Sequence, residues 1–233
     1  MLKRETGAAH VVVCDHTVRR GTIEYATVCL VAAAPCAAAC IVLWSKVNTL
    51  RQMVRGRVPS ATSVTAHGKP VARVHVDYTA GSARDKLTAL LPEKAEKLME
   101  RPWAIVQVVV CDKQVWKPLI GPVQESPLGL IDAATVQPQD LHPYTLHFPG
   151  KGGDTIGVNG VGESYAVMHN PRHRWLYAKD MSADEAYLFL SFDSRGDGRA
   201  RCTPHTGFID TATPPHAQPR QSIEFRTFCF WEA

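Results

Sequence analysis

From residue 72 to the end of the chain, short runs of β-branched and aromatic residues follow one another with turn residues between them, and a single long stretch carries helical spacing. A chain written this way buries its apolar side chains on sheet faces rather than along helix stripes. ARVHVDYT (72–79) alternates apolar and polar positions, and AIVQVVVCD (104–112) is a nearly continuous β-branched run. VWKPL (115–119), PLGLID (127–132) after a Gly-Pro turn, ESYAVMH (163–169) and RWLYA (174–178) read as further strands, and AYLFLSFD (186–193), TPHTGFID (203–210) and SIEFRTFCFW (222–231) close the chain. SARDKLTALLPEKAEKLME (82–100) sets Leu87, Leu90, Leu91, Ala95 and Leu98 at helical spacing, so a strand leads into a helix. Ser182, with Asp184 and Glu185 behind it, reads as the N-cap of a second, short helix. At least seven short strands and few helices predict a mainly β domain, an antiparallel sandwich or double-stranded β-helix (jelly roll) with a few flanking helices.

Composition narrows the function classes. With 233 residues, 45% of them apolar, the chain is long enough for one domain with a sizeable core. Lys and Arg number 26 against 22 Asp and Glu, and a net charge of +4 without a basic stripe argues against a nucleic-acid partner. Seven cysteines, of which only Cys36 and Cys40 lie close together, favour free thiols in a reducing, cytoplasmic setting. Residues 26–44 run without a charge over a length that can cross a bilayer. Their alanine content, the central Pro35 and the lack of aromatic belts weigh against a membrane span, and the mixed stretch before them weighs against a secretory signal. GKGGDT (150–155) lacks the order of a phosphate loop, GVNGVG (157–162) is no dinucleotide fingerprint, and no GxSxG elbow occurs. His169 and His173 are four apart, but Pro171 between them excludes a metal-binding helix.

The pattern with chemistry in it is His75-Val76-Asp77. Residues i and i+2 of a strand point to one face, so an imidazole and a carboxylate there can reach one ion. Taken alone the triplet reads more readily as a surface pair than as a metal site. His205, in another strand-like segment, supplies a third ligand and makes two histidines and one carboxylate, a set that occupies one face of an iron and leaves positions open for an oxo-acid and dioxygen. A closed four-ligand zinc site lacks that freedom. Further on, Arg220 and Ser222 stand at i and i+2, where a guanidinium and a hydroxyl fit the far carboxylate of a small diacid. Arg226 shares that face and is the rival for this role.

HVDYT, VWKPLIGPVQESPLGLIDAATVQPQDL, ESYAVMHNPRHRWLYAKDMSADEAYLF, DGRARCTPHTGFID and PRQSIEFRTFCFW together resemble the fungal hydroxylase/desaturase family that includes the aspergillic-acid hydroxylase, the gibberellin desaturase and proteins related to cephamycin methoxylation. That family is similar to the Fe(II)/2-oxoglutarate-dependent dioxygenases. The resemblance implies a double-stranded β-helix core, His75, Asp77 and His205 as iron ligands, and Arg220 with Ser222 as the 2-oxoglutarate anchor. Trp116 and Lys117 fall in the family's Trp-Arg-Pro-Leu block with lysine in place of arginine, which implies a place for Trp116 at the cofactor cavity. It further implies hydroxylation or desaturation of a small-molecule intermediate of secondary metabolism, with dioxygen as co-substrate. The competing reading is a non-catalytic jelly-roll binding protein or inactive relative. Residues 1–60 are expected to be a truncated or inserted N-terminal segment and residues 61–233 the jelly-roll oxygenase domain. Within this scheme residues 22–60 and VVCDKQV (109–115) are expected to be inserted sequence.

Overall fold

The computed structural model describes residues 3, 6–20, 42–45, 70–110, 122–147, 158, 160–182, 185–196 and 201–232. They form two antiparallel sheets. The first has five strands in the order β1 (His10–Arg20), β11 (Gln221–Phe230), β4 (Trp103–Val110), β9 (Glu185–Asp193) and β2 (Val42–Ser45). The second has six, in the order β6 (Leu141–His147), β7 (Val161–Val167), β3 (His75–Val76), β10 (His205–Gly207), β5 (Leu128–Ile131) and β8 (Trp175–Leu176). Neighbours within each sheet are mostly distant in sequence, as jelly-roll connections require.

The central strands of the five-stranded sheet are apolar on both faces, and this is why they read as continuous hydrophobic runs. On one face Trp103, Ile105, Phe192, Phe228 and Phe230 pack with Tyr78, Ala83 and Leu87, all nearly or fully buried. On the other, Ala104, Val106, Ala186, Leu188 and Cys229 form a separate cluster. A fully buried aromatic or leucine side chain stabilises by about 1.5–3 kcal/mol. The first cluster therefore holds Ala83 and Leu87 against this sheet, while Leu130 of β5, packed with Tyr187 and Phe189 of β9, joins it to the second sheet, and the site described below sits against the first face.

The helix after the first predicted strand divides in two: α1 (Ala80–Leu90) and α2 (Ala95–Met99). Pro92 follows the C-cap Leu91 and cannot continue the backbone ladder. At the other end Thr79 is the N-cap: its hydroxyl accepts from the Ser82 amide at 3.1 Å, and the Ser82 hydroxyl accepts from the Thr79 amide at 3.0 Å. This capping box ends the strand early, so the predicted strand 72–79 shrinks to His75–Val76.

The helix predicted after Ser182 is not found. Glu185 opens β9, and its carboxylate accepts from the Ser182 amide at 2.8 Å, so the capping-type signal belongs to a turn into a strand. The uncharged run at 26–44 ends in the strand Val42–Ser45, and its residues before 42 lie outside the described residues. No helix among the described residues is long and apolar enough to cross a membrane. VWKPL and GKGGDT also lie outside the described residues. Cys14, Cys202 and Cys229 are free thiols.

Candidate metal centre

The short strand β3 places His75 beside His205 of β10, the two being direct cross-strand partners, and Asp77 follows one residue beyond the strand. The i, i+2 geometry sends His75 and Asp77 the same way. The ligand atoms available from His75, Asp77 and His205 all lie within 4.8 Å of one another, and the two imidazole centroids are 4.5 Å apart. His75 Nε2 is 3.3 Å and His205 Nε2 3.9 Å from the same oxygen, Asp77 Oδ1. All three residues are buried.

The protons on these groups follow from their partners. His75 Nδ1 lies 2.7 Å from the Arg73 carbonyl and His205 Nδ1 3.1 Å from the Thr203 carbonyl. A carbonyl oxygen only accepts, so each Nδ1 carries the hydrogen and donates, and in the neutral ring each Nε2 presents a lone pair. Burial, followed by the neighbouring His75, pushes the His205 pKa down to about 3, so this imidazole is neutral. Burial alone raises the Asp77 pKa, but the Arg226 guanidinium beside it holds the carboxyl well below the usual carboxylate range. Asp77 Oδ1 is fully buried without a hydrogen-bond partner among the described residues. Two imidazole lone pairs and an orphaned carboxylate oxygen thus converge on one point, a donor set that a divalent cation satisfies and that is otherwise repulsive. The residues fit a metal ion.

Asp77 Oδ2 is occupied in a different way. It accepts from Arg226 Nε at 2.6 Å and from the Gln107 side-chain amide, which also reaches the Ser191 hydroxyl at 2.5 Å. Arg226 is 1% exposed and continues to Asp15 Oδ1 at 2.9 Å and to Glu224 Oε1 at 2.5 Å. Asp15 in turn accepts from the Tyr78 hydroxyl at 3.2 Å and pairs with Lys86 of α1 at 3.5 Å. Register explains the convergence: Arg226 of β11 is the direct partner of Asp15 on β1 and of Gln107 on β4. Arg226, read from sequence as a rival diacid anchor, therefore faces the Asp77 carboxylate of the candidate cluster. Gln107 and Asp15 carry no motif and were not anticipated; only strand register brings them together.

Arg220 and Ser222 do come together. Arg220 stands one residue before β11, donates from Nη1 to the Ser126 carbonyl at 2.9 Å, and both residues are buried. They line one small apolar cavity with Leu128, Met181 and Tyr187. Tyr187 packs with Leu130, Met181 and Phe189, and the Phe189 ring lies 4.9 Å from the His205 ring. The inward side chains of β9 thus connect the cavity to the metal-type cluster. Trp116 lies outside the described residues. His169 is exposed, and His173 Nε2 sits 3.0 Å from Asp140 Oδ2, so His173 pairs with this carboxylate and ties down its loop.

The chain is 28% identical over 236 residues to the hydroxylase/desaturase efuI of Hormonema carpetanum, covering all of this chain and 68% of that protein. It is 37% identical over 156 residues to the hydroxylase/desaturase asaB of Aspergillus flavus, covering 64% of this chain and 63% of that protein. The Fe(II)/2-oxoglutarate-dependent dioxygenase nvfI of Aspergillus novofumigatus matches at 29% over 164 residues, 70% of this chain and 53% of that protein. The chain thus spans about half to two thirds of the length of these relatives. Among solved structures, the iron and alpha-ketoglutarate-dependent endoperoxidase NvfI superposes with a TM-score of 0.69 at 23% identity, over 100% of this chain and 66% of that one, and shows the jelly-roll fold. The family model described as oxidoreductase/YMDC permease-like domain matches residues 1–230, and with that span the chain belongs to this family.

Proposed function

We propose that this chain carries the catalytic core of a non-haem Fe(II)/2-oxoglutarate-dependent oxygenase that hydroxylates or desaturates a small-molecule intermediate of secondary metabolism. The observation that carries the reading is the orphaned, fully buried Asp77 Oδ1 facing two Nε2 lone pairs. Relatives named as hydroxylase/desaturases and as an Fe(II)/2-oxoglutarate-dependent dioxygenase support it. His75, Asp77 and His205 would hold the iron. When bound, the iron supplies dioxygen activation coupled to oxidative decarboxylation of 2-oxoglutarate.

The protein's own part is placement and exclusion of water. The Nδ1 bonds to Arg73 and Thr203 fix both imidazole planes, so the Nε2 lone pairs stay aimed at one point without rearrangement. Three ligands on one side leave the opposite side open to co-substrates. Arg220, already anchored to the Ser126 carbonyl, offers its guanidinium to the distal carboxylate of 2-oxoglutarate, and Ser222 offers a hydroxyl donor beside it. Leu130, Met181, Tyr187 and Phe189 wall this route with apolar surface, which strengthens the ion pair and keeps solvent from the oxidising centre.

Calorimetry under nitrogen tests the reading. Protein loaded with Fe(II) is expected to bind one equivalent of 2-oxoglutarate, His75→Ala to bind none, and Arg220→Ala to bind on the order of a hundredfold more weakly, since truncating one partner of a buried charge pair costs about 2–5 kcal/mol. Folded protein that binds 2-oxoglutarate equally with and without iron, or that ignores it, would refute the proposal and favour a non-catalytic jelly-roll binder.

A further inference from the structure

Resting on the metal reading above, we infer that Asp15 and Glu224, acting through Arg226, are positioning residues that set the affinity of the centre for its divalent cation. The geometry has two parts. Arg226 Nε and the Gln107 amide both engage Asp77 Oδ2, so the carboxylate is locked with only Oδ1 toward the imidazoles. A carboxylate free to rotate would offer both oxygens and close a position that co-substrates need. The same arginine, fully buried and hard against a ligand, places a positive charge where a cation must sit, and that charge works against metal binding.

The two further carboxylates answer it. Asp15 Oδ1 takes Nη1 at 2.9 Å and Glu224 Oε1 takes Nη2 at 2.5 Å, so all three edges of the guanidinium are paired and its charge is offset inside the protein. Lys86 approaches Asp15 Oδ2 at 3.5 Å from α1 and completes the set. Lys86, Arg226, Asp15, Asp77 and Glu224 together hold one more carboxylate than cation, leaving a net negative charge beside the point where the imidazole lone pairs converge. A strand with no liganding residue is thereby drawn in: β1 takes part in the centre through Asp15, two strands before His75 in sequence and adjacent to Arg226 by register.

The test uses cobalt(II) as probe, followed by its visible absorption, on the full chain. Asp15→Asn and Glu224→Gln keep the shapes and one carbonyl acceptor for Arg226, replace the second oxygen by an amide NH2, and remove one charge each. Each is expected to weaken cobalt binding by about tenfold, in the range seen for outer partners of metal ligands. Leu87→Val, which thins the apolar cluster beside the same helix, is expected to lower the melting temperature while leaving cobalt affinity within twofold. His75→Ala is expected to abolish the cobalt spectrum. If both charge variants fold and bind cobalt within twofold of wild type while His75→Ala does not bind, the inference is overturned and the metal reading stands. If Leu87→Val weakens binding as much as they do, the effect is general loosening and the inference is again overturned. If Asp15→Asn does not fold, Glu224→Gln decides alone. Folded wild-type protein without a cobalt spectrum overturns both the inference and the reading beneath it.

Discussion

Replacing Asp77 by asparagine separates metal chemistry from fold stability, because the two oxygens of this carboxylate have different neighbours. Asparagine can present its carbonyl oxygen where Oδ2 now accepts from Arg226 and Gln107, and its amide NH2 where Oδ1 now faces His75 Nε2 at 3.3 Å and His205 Nε2 at 3.9 Å. The first substitution turns a charge-assisted bond into an ordinary one, a loss of about 1–2 kcal/mol. The second replaces three mutually facing acceptors by a donor between two acceptors, which returns part of that loss. Arg226 keeps Asp15 and Glu224, so it is not left as an uncompensated buried charge. The metal-free variant should therefore be destabilised by no more than about 2 kcal/mol, against the roughly 3–5 kcal/mol typical of breaking a buried ion pair. Metal affinity should fall by more than about a hundredfold, since a ligand itself is lost and outer partners alone account for ten- to a hundredfold. Urea unfolding of the metal-free proteins measures the first quantity and cobalt titration the second. Wild-type metal affinity in Asp77→Asn, or destabilisation above about 4 kcal/mol, would instead make Asp77 chiefly a structural counter-ion for Arg226.

Other expectations follow from the same contacts. Thr79→Ala removes the α1 cap and the hydroxyl bond to Glu163 at 2.6 Å, and should cost about 1–2 kcal/mol in denaturant unfolding. Phe228→Ala, a fully buried ring between Trp103 and Phe230, should cost about 3–5 kcal/mol in the same assay. Stability of the metal-free protein should fall as pH drops from about 6.5 toward 3: the unfolded chain protonates His205 near its ordinary value of about 6.5, while the folded chain resists until about 3. Asp77 adds to the loss below about pH 4, where the unfolded carboxyl takes up a proton that the folded one refuses. His205→Gln should flatten the slope between pH 6.5 and 4, and an unchanged slope would contradict this assignment.

What the sequence discloses and what it hides divide along physical lines. The His75-Val76-Asp77 pairing was legible because a strand repeats every two residues, and its partner His205 stood in a segment whose resemblance was specific. The two-sheet architecture was legible from apolar segments bounded by turns. Strand β6 was not, because LHPYTLH carries Pro143 and polar alternation; the structure places it at the edge of its sheet, where a missing amide is tolerated. The false helix after Ser182 came from a local signal, Ser182 with Glu185, that a turn uses as readily as a helix does. The Asp15, Gln107 and Arg226 cluster was invisible for a different reason. Its members lie on three strands far apart in sequence, and one residue of slip in either pairing would turn them to the opposite face.

The measurement that bears most directly on the central claim is anaerobic addition of Fe(II) and then 2-oxoglutarate to the purified chain, followed by visible absorption. Iron held by His75, Asp77 and His205, with 2-oxoglutarate at Arg220, is expected to give a metal-to-ligand charge-transfer band that reaches its limit at one iron per chain, is absent in His75→Ala and requires a higher 2-oxoglutarate concentration in Arg220→Ala. A folded wild-type protein that develops no band, or one whose band survives loss of His75, would contradict it.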